Sequence, residues 1–281
     1  MSIWINPAEF GLTVTICIAS VTKHGMGGDI AAVSDRMISA PDDSVQATEA
    51  MKARKISKTW ALMFSGEGNL FLPIVAEISK RLGTFDKAYD FKMVQSVVSD
   101  VYRTMFSEQC SSIYLSRYGL SSIADFRKLG LSQFGDKFYD ICKWIDEYNL
   151  GIDLLAYGFD PDGSPHIFDI SNPGVVTNHD LLGYAVIGSG SYMATASLRR
   201  KKMPYDLDSV VYRLLEAKFS AESASGVGEG TTLFTMSPEG KNKSIGYGSV
   251  SKIKDIWKGV LDLPEPPEAL ELIRRIVGKP D

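Results

Sequence analysis

The spacing of apolar residues changes in blocks along this chain, and the order of the blocks restricts the folds it can adopt. Apolar, β-branched runs over 12–20 and 29–39 predict two strands. From 70 to 82 the apolar residues recur every four positions, which predicts an amphipathic helix. Strand patterns return at 152, a further helix is predicted over 208–222, and two last strands follow. Such segregated blocks favour an α+β fold over an alternating α/β fold.

The predicted elements also suggest how the chain is layered and divided. Two central sheets, each covered by helices, would use the apolar faces of both strand blocks and both helix blocks. No polar or proline-rich linker is long enough to split the 281 residues. We therefore expect four layers in a single domain over 1–281, with a terminal helix in the tail.

Composition and charge argue against several kinds of partner. The formal net charge is -4, and "RRKK" at 199–202 is the only dense basic run, so a nucleic-acid partner is not expected. No apolar run approaches about 18 residues, the length needed to span a membrane. The start of the chain has neither the basic residues nor the apolar core of a signal peptide.

The cysteines and histidines predict no metal site and no cofactor. Cys17, Cys110 and Cys142 are odd in number and far apart, so they form neither a disulfide framework nor a zinc spacing. Free thiols fit a reducing compartment, which favours the cytoplasm. The three histidines show no ligand spacing either.

Several polar residues and glycines lie at predicted strand or helix ends, where each has an ordinary structural explanation. A carboxylate or a glycine after a strand usually forms a turn, a lysine in a basic cluster is usually solvated, and serines near helix ends are usually caps. The residues concerned are Asp35, Lys52, Gly66, Ser189, Glu222 and Ser225.

Taken together and in order, these segments resemble the proteasome-type N-terminal nucleophile (Ntn) hydrolases, namely the proteasome β-subunits and the HslV peptidase. The segments that carry the resemblance are "TVTICIAS", "IAAVSDR", "KARKISKTWALMFSG", "GIDLLAYGFDPDGSPHIFDIS", "YAVIGSGS" and "FSAESASG". The resemblance implies a four-layer αββα sandwich. Residues 1–12 would then be an N-terminal extension or propeptide. The chain departs from the family's pattern by a helical insertion at about 113–150 and a C-terminal extension at about 251–281.

The resemblance further implies a set of site residues and an activity. Thr13 would be the nucleophile, and the backbone N–H of Gly66 would stabilise the oxyanion. The other members implied are Asp35, Lys52, Ser189, Glu222 and Ser225. Such a protein is a threonine peptidase that assembles into a homo-oligomeric ring and acts on a peptide or protein, and the sequence does not identify an ATPase partner.

The chemistry explains why these residue types occur together. A threonine hydroxyl is a weak nucleophile and needs a base, which a chain-terminal threonine carries as its own α-amine, with a pKa of about 8. A neighbouring ammonium ion favours loss of the hydroxyl proton, and a carboxylate fixes that ammonium ion. An acyl-enzyme would form on the threonine and water would release it.

Alternatives remain for both the nucleophile and the function. A chain starting at Leu12 has no hydroxyl, and one starting at Thr15 moves the strand by two residues relative to Asp35. Self-processing members have glycine before the threonine, whereas Leu12 precedes Thr13. The chain could therefore be a non-catalytic, proteasome-like structural or interaction subunit with Thr13 unprocessed. It could also be an Ntn amidase that acts on a small molecule.

Overall fold

A computed structural model describes most of the chain, in seven ranges. These are 15–22, 28–39, 45–47, 52–224, 227–261, 267–269 and 271. The predicted extension over 1–12, the candidate nucleophile Thr13 and Ser225 lie outside them. The predicted single domain over 1–281 stays a prediction.

The described strands form two five-stranded antiparallel sheets and one small two-stranded sheet. In chain order the strands are β1 (Cys17–Val21), β2 (Ile30–Asp35), β3 (Met37–Ser39), β4 (Val45–Ala47), β5 (Ala53–Lys55), β6 (Trp60–Gly66), β7 (Ile152–Phe159), β8 (Pro165–Ser171), β9 (Val175–Asn178), β10 (Tyr184–Ile187), β11 (Thr231–Met236) and β12 (Asn242–Ile245). The first large sheet has the order β10-β1-β2-β11-β12 and the second has the order β5-β6-β7-β8-β9, while β3 pairs with β4.

Seven α-helices lie in the described part of the chain. They are α1 (Gly68–Leu82), α2 (Phe91–Cys110), α3 (Ile123–Phe134), α4 (Lys137–Glu147), α5 (Ser191–Arg199), α6 (Leu207–Ala221) and α7 (Tyr247–Leu261). A π-helical turn over Ser111–Leu115 and a 3-10 turn over Ser116–Tyr118 connect α2 to α3. Aspartates begin two of the long helices: Asp90 accepts from the Met93 amide and Asp206 from the Ser209 amide, which satisfies N–H groups that have no helical partner.

Side-chain alternation in the central strands explains why β1 is buried throughout. Cys17 and Ala19 share a cluster with Met63 and Leu155 of the other large sheet. Ile18, on the opposite face of β1, belongs to a second cluster with residues of α5 and α6. Successive side chains of a strand point to opposite faces, so both faces of β1 meet apolar neighbours.

The helical region after α2 has an apolar cluster of its own. Cys110, Tyr114, Phe126, Ile141 and Ile145 are all buried together there. This cluster is made by α2, α3, α4 and the π-helical turn, and it contains no residue of either large sheet. The region therefore packs largely on itself.

The predicted fold class, a four-layer αββα sandwich with an added helical insertion and C-terminal helix, was wrong as stated. The described chain is α+β, with two five-stranded antiparallel sheets and seven helices. The separate β3-β4 sheet has no place in the prediction, which already added a helical insertion to the four layers. The α+β class itself agrees with the segregated order of the elements.

Two segments also differ from their predicted secondary structure. The polar composition of 40–55 favours a loop, yet β4 and β5 lie in it. The pattern of "KSIGYGSV" favours a strand, but β12 ends at Ile245 and α7 begins at Tyr247. In the part of the chain that the structure describes, no helix is long and apolar enough to cross a membrane.

Candidate active site

A buried lysine joins a threonine and an aspartate at the start of β1. The Lys52 Nζ donates to Thr15 Oγ1 at 2.7 Å and to Asp35 Oδ1 at 2.8 Å. The exposed fractions of Thr15, Asp35 and Lys52 are 3%, 0% and 1%. A threonine hydroxyl, an ammonium ion and a carboxylate thus lie in one line of contacts, shielded from water.

The pairing of β1 with β2 places the aspartate beside this threonine. Asp35 is the last residue of β2, and its backbone N–H donates to the Ile16 carbonyl at 3.2 Å. Its Oδ1 in turn accepts from the Ile16 backbone N–H at 3.1 Å. Because Ile16 directly follows Thr15, the register of the two strands fixes the carboxylate next to Thr15.

Lys52 reaches this end of β1 from the other large sheet. It lies just before β5, and its carbonyl accepts from the Phe64 N–H at 3.3 Å. The cluster shared by the two sheets brings β6 beside β1, where the Cys17 thiol donates to the Phe64 carbonyl at 3.2 Å. The lysine therefore crosses between two sheets that contact each other.

The carboxylate of Asp35 has a second backbone donor besides Ile16. Its Oδ2 accepts from the Gly228 N–H at 3.3 Å, from the loop before β11. Removing two ions from water costs several kcal/mol each, and hydrogen bonds to the remaining lone pairs offset part of that cost. The backbone donors therefore help to keep the buried Lys52–Asp35 pair in place.

Ser189 lies against the backbone of Thr15, whereas the sequence predicted it beside the amine of Thr13. The Thr15 N–H donates to Ser189 Oγ at 3.2 Å, and the Gly190 N–H donates to the Thr15 carbonyl at 3.4 Å. A Cβ added at Gly188, which has φ +104°, would lie 2.1 Å from the Thr15 oxygen. The turn between β10 and α5 thus needs glycine at 188 to approach Thr15 so closely.

Gly66 lies at the end of β6, close to the same turn. Its φ is +107°, and an added Cβ would lie 2.0 Å from the Gly151 carbonyl oxygen. The preceding side chain, Ser65 Oγ, would lie 3.1 Å from a Cβ at Gly188. Gly66 therefore occupies a position that favours glycine, near the turn that contacts Thr15.

Glu222 has partners that the sequence did not predict. Its Oε1 accepts from Lys218 Nζ at 2.5 Å, and its Oε2 lies 2.6 Å from Lys254 Nζ. Lys218 also donates to the Gly228 carbonyl at 2.8 Å. Lys218 thereby connects Glu222 to Gly228, whose N–H donates to Asp35.

Sequence reasoning missed Lys218 and Lys254 as members of this region and named Thr15 only as an alternative to Thr13. Thr13, the predicted nucleophile, and Ser225 lie outside the described residues. In an extended strand, residues 13 and 15 point to the same face, so alternation alone does not distinguish these two threonines. The 2.7 Å contact with Lys52 places Thr15 in the site, and no local pattern in the sequence contains that distance.

Cys17, two residues after Thr15, is not a competing nucleophile. Burial raises the pKa of its thiol to about 12, with Lys52 lowering it and Asp35 raising it. The reactive form of cysteine is the thiolate, which such a pKa suppresses near neutral pH. Among the described residues, no group of three or more His, Cys, Asp or Glu side chains is arranged to hold a metal ion.

Comparison with known proteins supports the fold and no closer relation. No protein-family model matches the chain, and no curated protein sequence matches it. A solved structure that it resembles is the Anbu (Gly-1) mutant from Hyphomicrobium sp. strain MC1, with a TM-score of 0.60 and 15% sequence identity. The match covers 90% of this chain and 99% of the other. At this identity the likeness shows a shared fold and nothing more.

The family predicted from the sequence, that of the proteasome β-subunits and HslV, was therefore wrong. The finding that overturns it is the absence of any matching family model, together with a structural match to an Anbu protein. The segments behind that prediction are short strand ends and turns. Such features follow from a shared fold, and they do not identify a family within it.

Proposed function

We propose that this chain is a threonine-type amide hydrolase in which Thr15, once freed as the first residue, is the nucleophile. The observation that carries the proposal is the 2.7 Å contact between Lys52 Nζ and Thr15 Oγ1, with Asp35 Oδ1 2.8 Å from the same nitrogen. A hydroxyl that served only to fill space would need neither a buried ammonium ion nor its carboxylate.

Cleavage of the Val14–Thr15 bond is the first step that the proposal requires. Thr15 is 3% exposed in the intact chain, and its nitrogen is an amide that donates to Ser189 Oγ. Cleavage would turn that amide into an α-amine already in contact with Ser189. It would also remove the segment that precedes the hydroxyl.

The free amine and Lys52 then divide the work of activating the hydroxyl. The amine accepts the Oγ proton as Oγ bonds to the substrate carbonyl carbon, and the Lys52 ammonium ion stabilises the negative charge that develops on Oγ. The carbonyl oxygen becomes an oxyanion, for which the Gly66 N–H is the proposed donor. One such donor contributes on the order of 3 kcal/mol to the stability of the transition state.

Two further steps complete the proposed turnover. The C–N bond of the substrate breaks as the leaving amine takes the proton from the Thr15 ammonium group, and an ester remains on Oγ. Water then attacks the ester carbonyl, the α-amine again accepts a proton, and the acid is released as Oγ regains its hydrogen. Every proton in this cycle passes through the Thr15 amine.

A peptide amide is the substrate class proposed, and a small-molecule amide is the alternative. Assembly into a homo-oligomeric ring and a cytoplasmic location stay predictions. A panel of fluorogenic peptide amides and light scattering would test the substrate and the assembly respectively.

A non-catalytic role is the second candidate, and one observation favours it. Glu222, the acid predicted beside the threonine amine, has both carboxylate oxygens bound to lysines. On this alternative, Thr15, Lys52 and Asp35 form a buried structural network, and Thr15→Ala leaves assembly unchanged.

Labelling with a peptidyl β-lactone distinguishes the catalytic role from the non-catalytic one, and it distinguishes Thr15 from Thr13 as the nucleophile. Ring opening by a nucleophilic Oγ adds the whole mass of the lactone, which mass spectrometry of the full-length expression product detects. We expect the unsubstituted protein and Thr13→Ala to take up one lactone, and Thr15→Ala to take up none. Loss of labelling in Thr13→Ala alone would assign the nucleophile to Thr13. No labelling of any protein would favour the non-catalytic role.

A further inference from the structure

We propose that Lys218 is a positioning residue that holds the 227–230 loop against Asp35. Lys218 lies on α6 and is 0% exposed. The structural part of this inference stands on geometry alone. Its consequence for catalysis rests on the proposed function.

All three N–H donors of the Lys218 ammonium group have an acceptor. Lys218 Nζ donates to Glu222 Oε1 at 2.5 Å, to the Gly228 carbonyl at 2.8 Å and to the Glu229 carbonyl at 2.9 Å. An ammonium group has three donors, so the set is complete. Two of the three bonds go to consecutive carbonyls of one loop, which fixes the path of its backbone.

The loop held by Lys218 is also the loop that reaches the site. The Gly228 N–H donates to Asp35 Oδ2 at 3.3 Å, while Asp35 Oδ1 accepts from Lys52. The Gly228 carbonyl therefore accepts a hydrogen bond from Lys218, and the Gly228 N–H donates one to Asp35. A shift of this glycine would remove one hydrogen-bond donor from the carboxylate that fixes Lys52.

A simpler role for Lys218, as a cation at the C-terminus of α6, does not account for its partners. A lysine in a last turn that only offsets the helix dipole interacts with the final carbonyls of its own helix. Lys218 instead donates to carbonyls seven and eight residues beyond Ala221, the end of α6. The buried ammonium group of Lys218 therefore stabilises the loop through these two carbonyls.

Lys254 of α7 supplies a matched comparison. Its Nζ lies 2.6 Å from Glu222 Oε2 and 3.5 Å from Glu229 Oε2, which are both carboxylate oxygens. Glu222 consequently keeps one lysine partner when the other is removed. Replacing Lys218 or Lys254 removes the same charge from the same carboxylate, but only Lys218 holds the loop backbone.

The test is amide hydrogen exchange at Gly228, measured by NMR in the full chain. We expect a protected Gly228 amide in the unsubstituted protein, because it donates to a buried carboxylate. In Lys218→Met we expect exchange about tenfold faster, the effect of losing roughly one hydrogen bond. In Lys254→Met we expect a change of less than about twofold.

Two results would overturn the proposal. One is a Gly228 amide that exchanges without protection in the unsubstituted protein, a measurement that needs no variant to fold. The other is equal protection in Lys218→Met and the unsubstituted protein. If Lys218→Met fails to fold, Lys218→Ala, which also removes the donors, is measured against the same two criteria.

The catalytic consequence has a separate readout, the pH profile of β-lactone labelling at Thr15. We expect Lys218→Met to shift the midpoint of this profile and Lys254→Met to leave it in place. A purely structural lysine would lower the amount of active protein without moving the midpoint. If the unsubstituted protein takes up no lactone, the proposed function fails, and the exchange at Gly228 still decides whether Lys218 holds the loop.

Discussion

Lys52 Nζ lies 2.8 Å from Asp35 Oδ1, and the side chains of the two residues are 1% and 0% exposed. Ions buried to this extent lose their hydration and are retained only when well paired. Since Lys52 also contacts the Thr15 hydroxyl, the ion pair fixes the group that would act on Thr15. Stability and the proposed chemistry therefore depend on the same pair.

Asp35→Asn should destabilise the protein and abolish labelling at Thr15. The substitution removes the charge that pairs with buried Lys52, and breaking a buried pair in this way costs about 3–5 kcal/mol. Urea unfolding measures the loss of stability. Asp86→Asn, at an exposed position, is the control and should unfold like the unsubstituted protein. A stable and fully labelled Asp35→Asn protein would remove Asp35 from the account.

Gly188→Ala should destabilise the protein more than Gly119→Ala does. Both glycines have positive φ, at +104° and +72°, so alanine is strained at each by about 1–3 kcal/mol. Only at Gly188 would the new Cβ also meet the Thr15 carbonyl, at 2.1 Å, whereas nothing lies within 4 Å at Gly119. Equal midpoints of urea unfolding for the two variants would show that the turn at Gly188 does not contact the Thr15 carbonyl closely.

Ser189→Ala should slow labelling at Thr15 and leave the fold intact. The variant loses the hydrogen bond between Thr15 N and Ser189 Oγ, which is worth about 0.5–1.5 kcal/mol, or roughly twofold to tenfold in rate. Ser191→Ala, at the first residue of α5, is the matched control. If Ser189→Ala and Ser191→Ala have the same labelling rate constant, Ser189 has no role at Thr15.

Stability should fall as the pH rises through the pKa of His166. Burial lowers the pKa of this imidazole, but the contacts of its ring nitrogens with Asp180 and Asp160 outweigh burial and raise the pKa above its usual value of 6.5. A group with a raised folded pKa contributes its stability fully below 6.5 and loses it as pH rises through the higher, folded value. Trp60 and Phe91, which stack near the ring, carry no titrating charge.

His166→Gln should remove this part of the pH dependence. Thermal unfolding of both proteins between about pH 5 and pH 8 measures it, since histidine changes charge in that interval. The two unfolding temperatures should converge as the pH rises. Parallel curves over the whole interval would exclude His166 as the cause.

Much of the fold follows from local sequence patterns. The four-residue spacing ends at Gly83, and α1 indeed ends at Leu82 with Gly83 as its cap. The turn sequence at 160–163 lies between β7 and β8 as its composition indicates. Here the signal is local, because periodicity and turn chemistry operate over a few residues.

Layering and small strands could not be predicted in the same way. The β3-β4 pair joins Met37 to Ala47 through a polar stretch whose composition favours a loop. Phe126 is buried in a cluster formed by helices. The amphipathic pattern of a helix does not show which element covers its apolar face. Tertiary contacts decided both outcomes.

The site was predictable in its residue types and less so in its connections. Asp35, Lys52 and Ser189 were all named from the sequence, and the structure brings them together around Thr15. Neither lysine at Glu222 was named, although the four-residue spacing of Lys218 and Glu222 is a local signal of a helical ion pair. Lys254 has no such signal, because it is separated from Glu222 by the whole of β11 and β12. Contacts between distant elements have no signature in a single sequence.

The N-terminal residue of the purified, lactone-reactive protein tests the central claim most directly. Intact-mass measurement followed by fragmentation identifies that residue and the atom that carries the label. The account predicts a mature chain that begins at Thr15, with the acyl group on its Oγ. A reactive chain that still begins at Met1, or one that begins at Thr13, would contradict it.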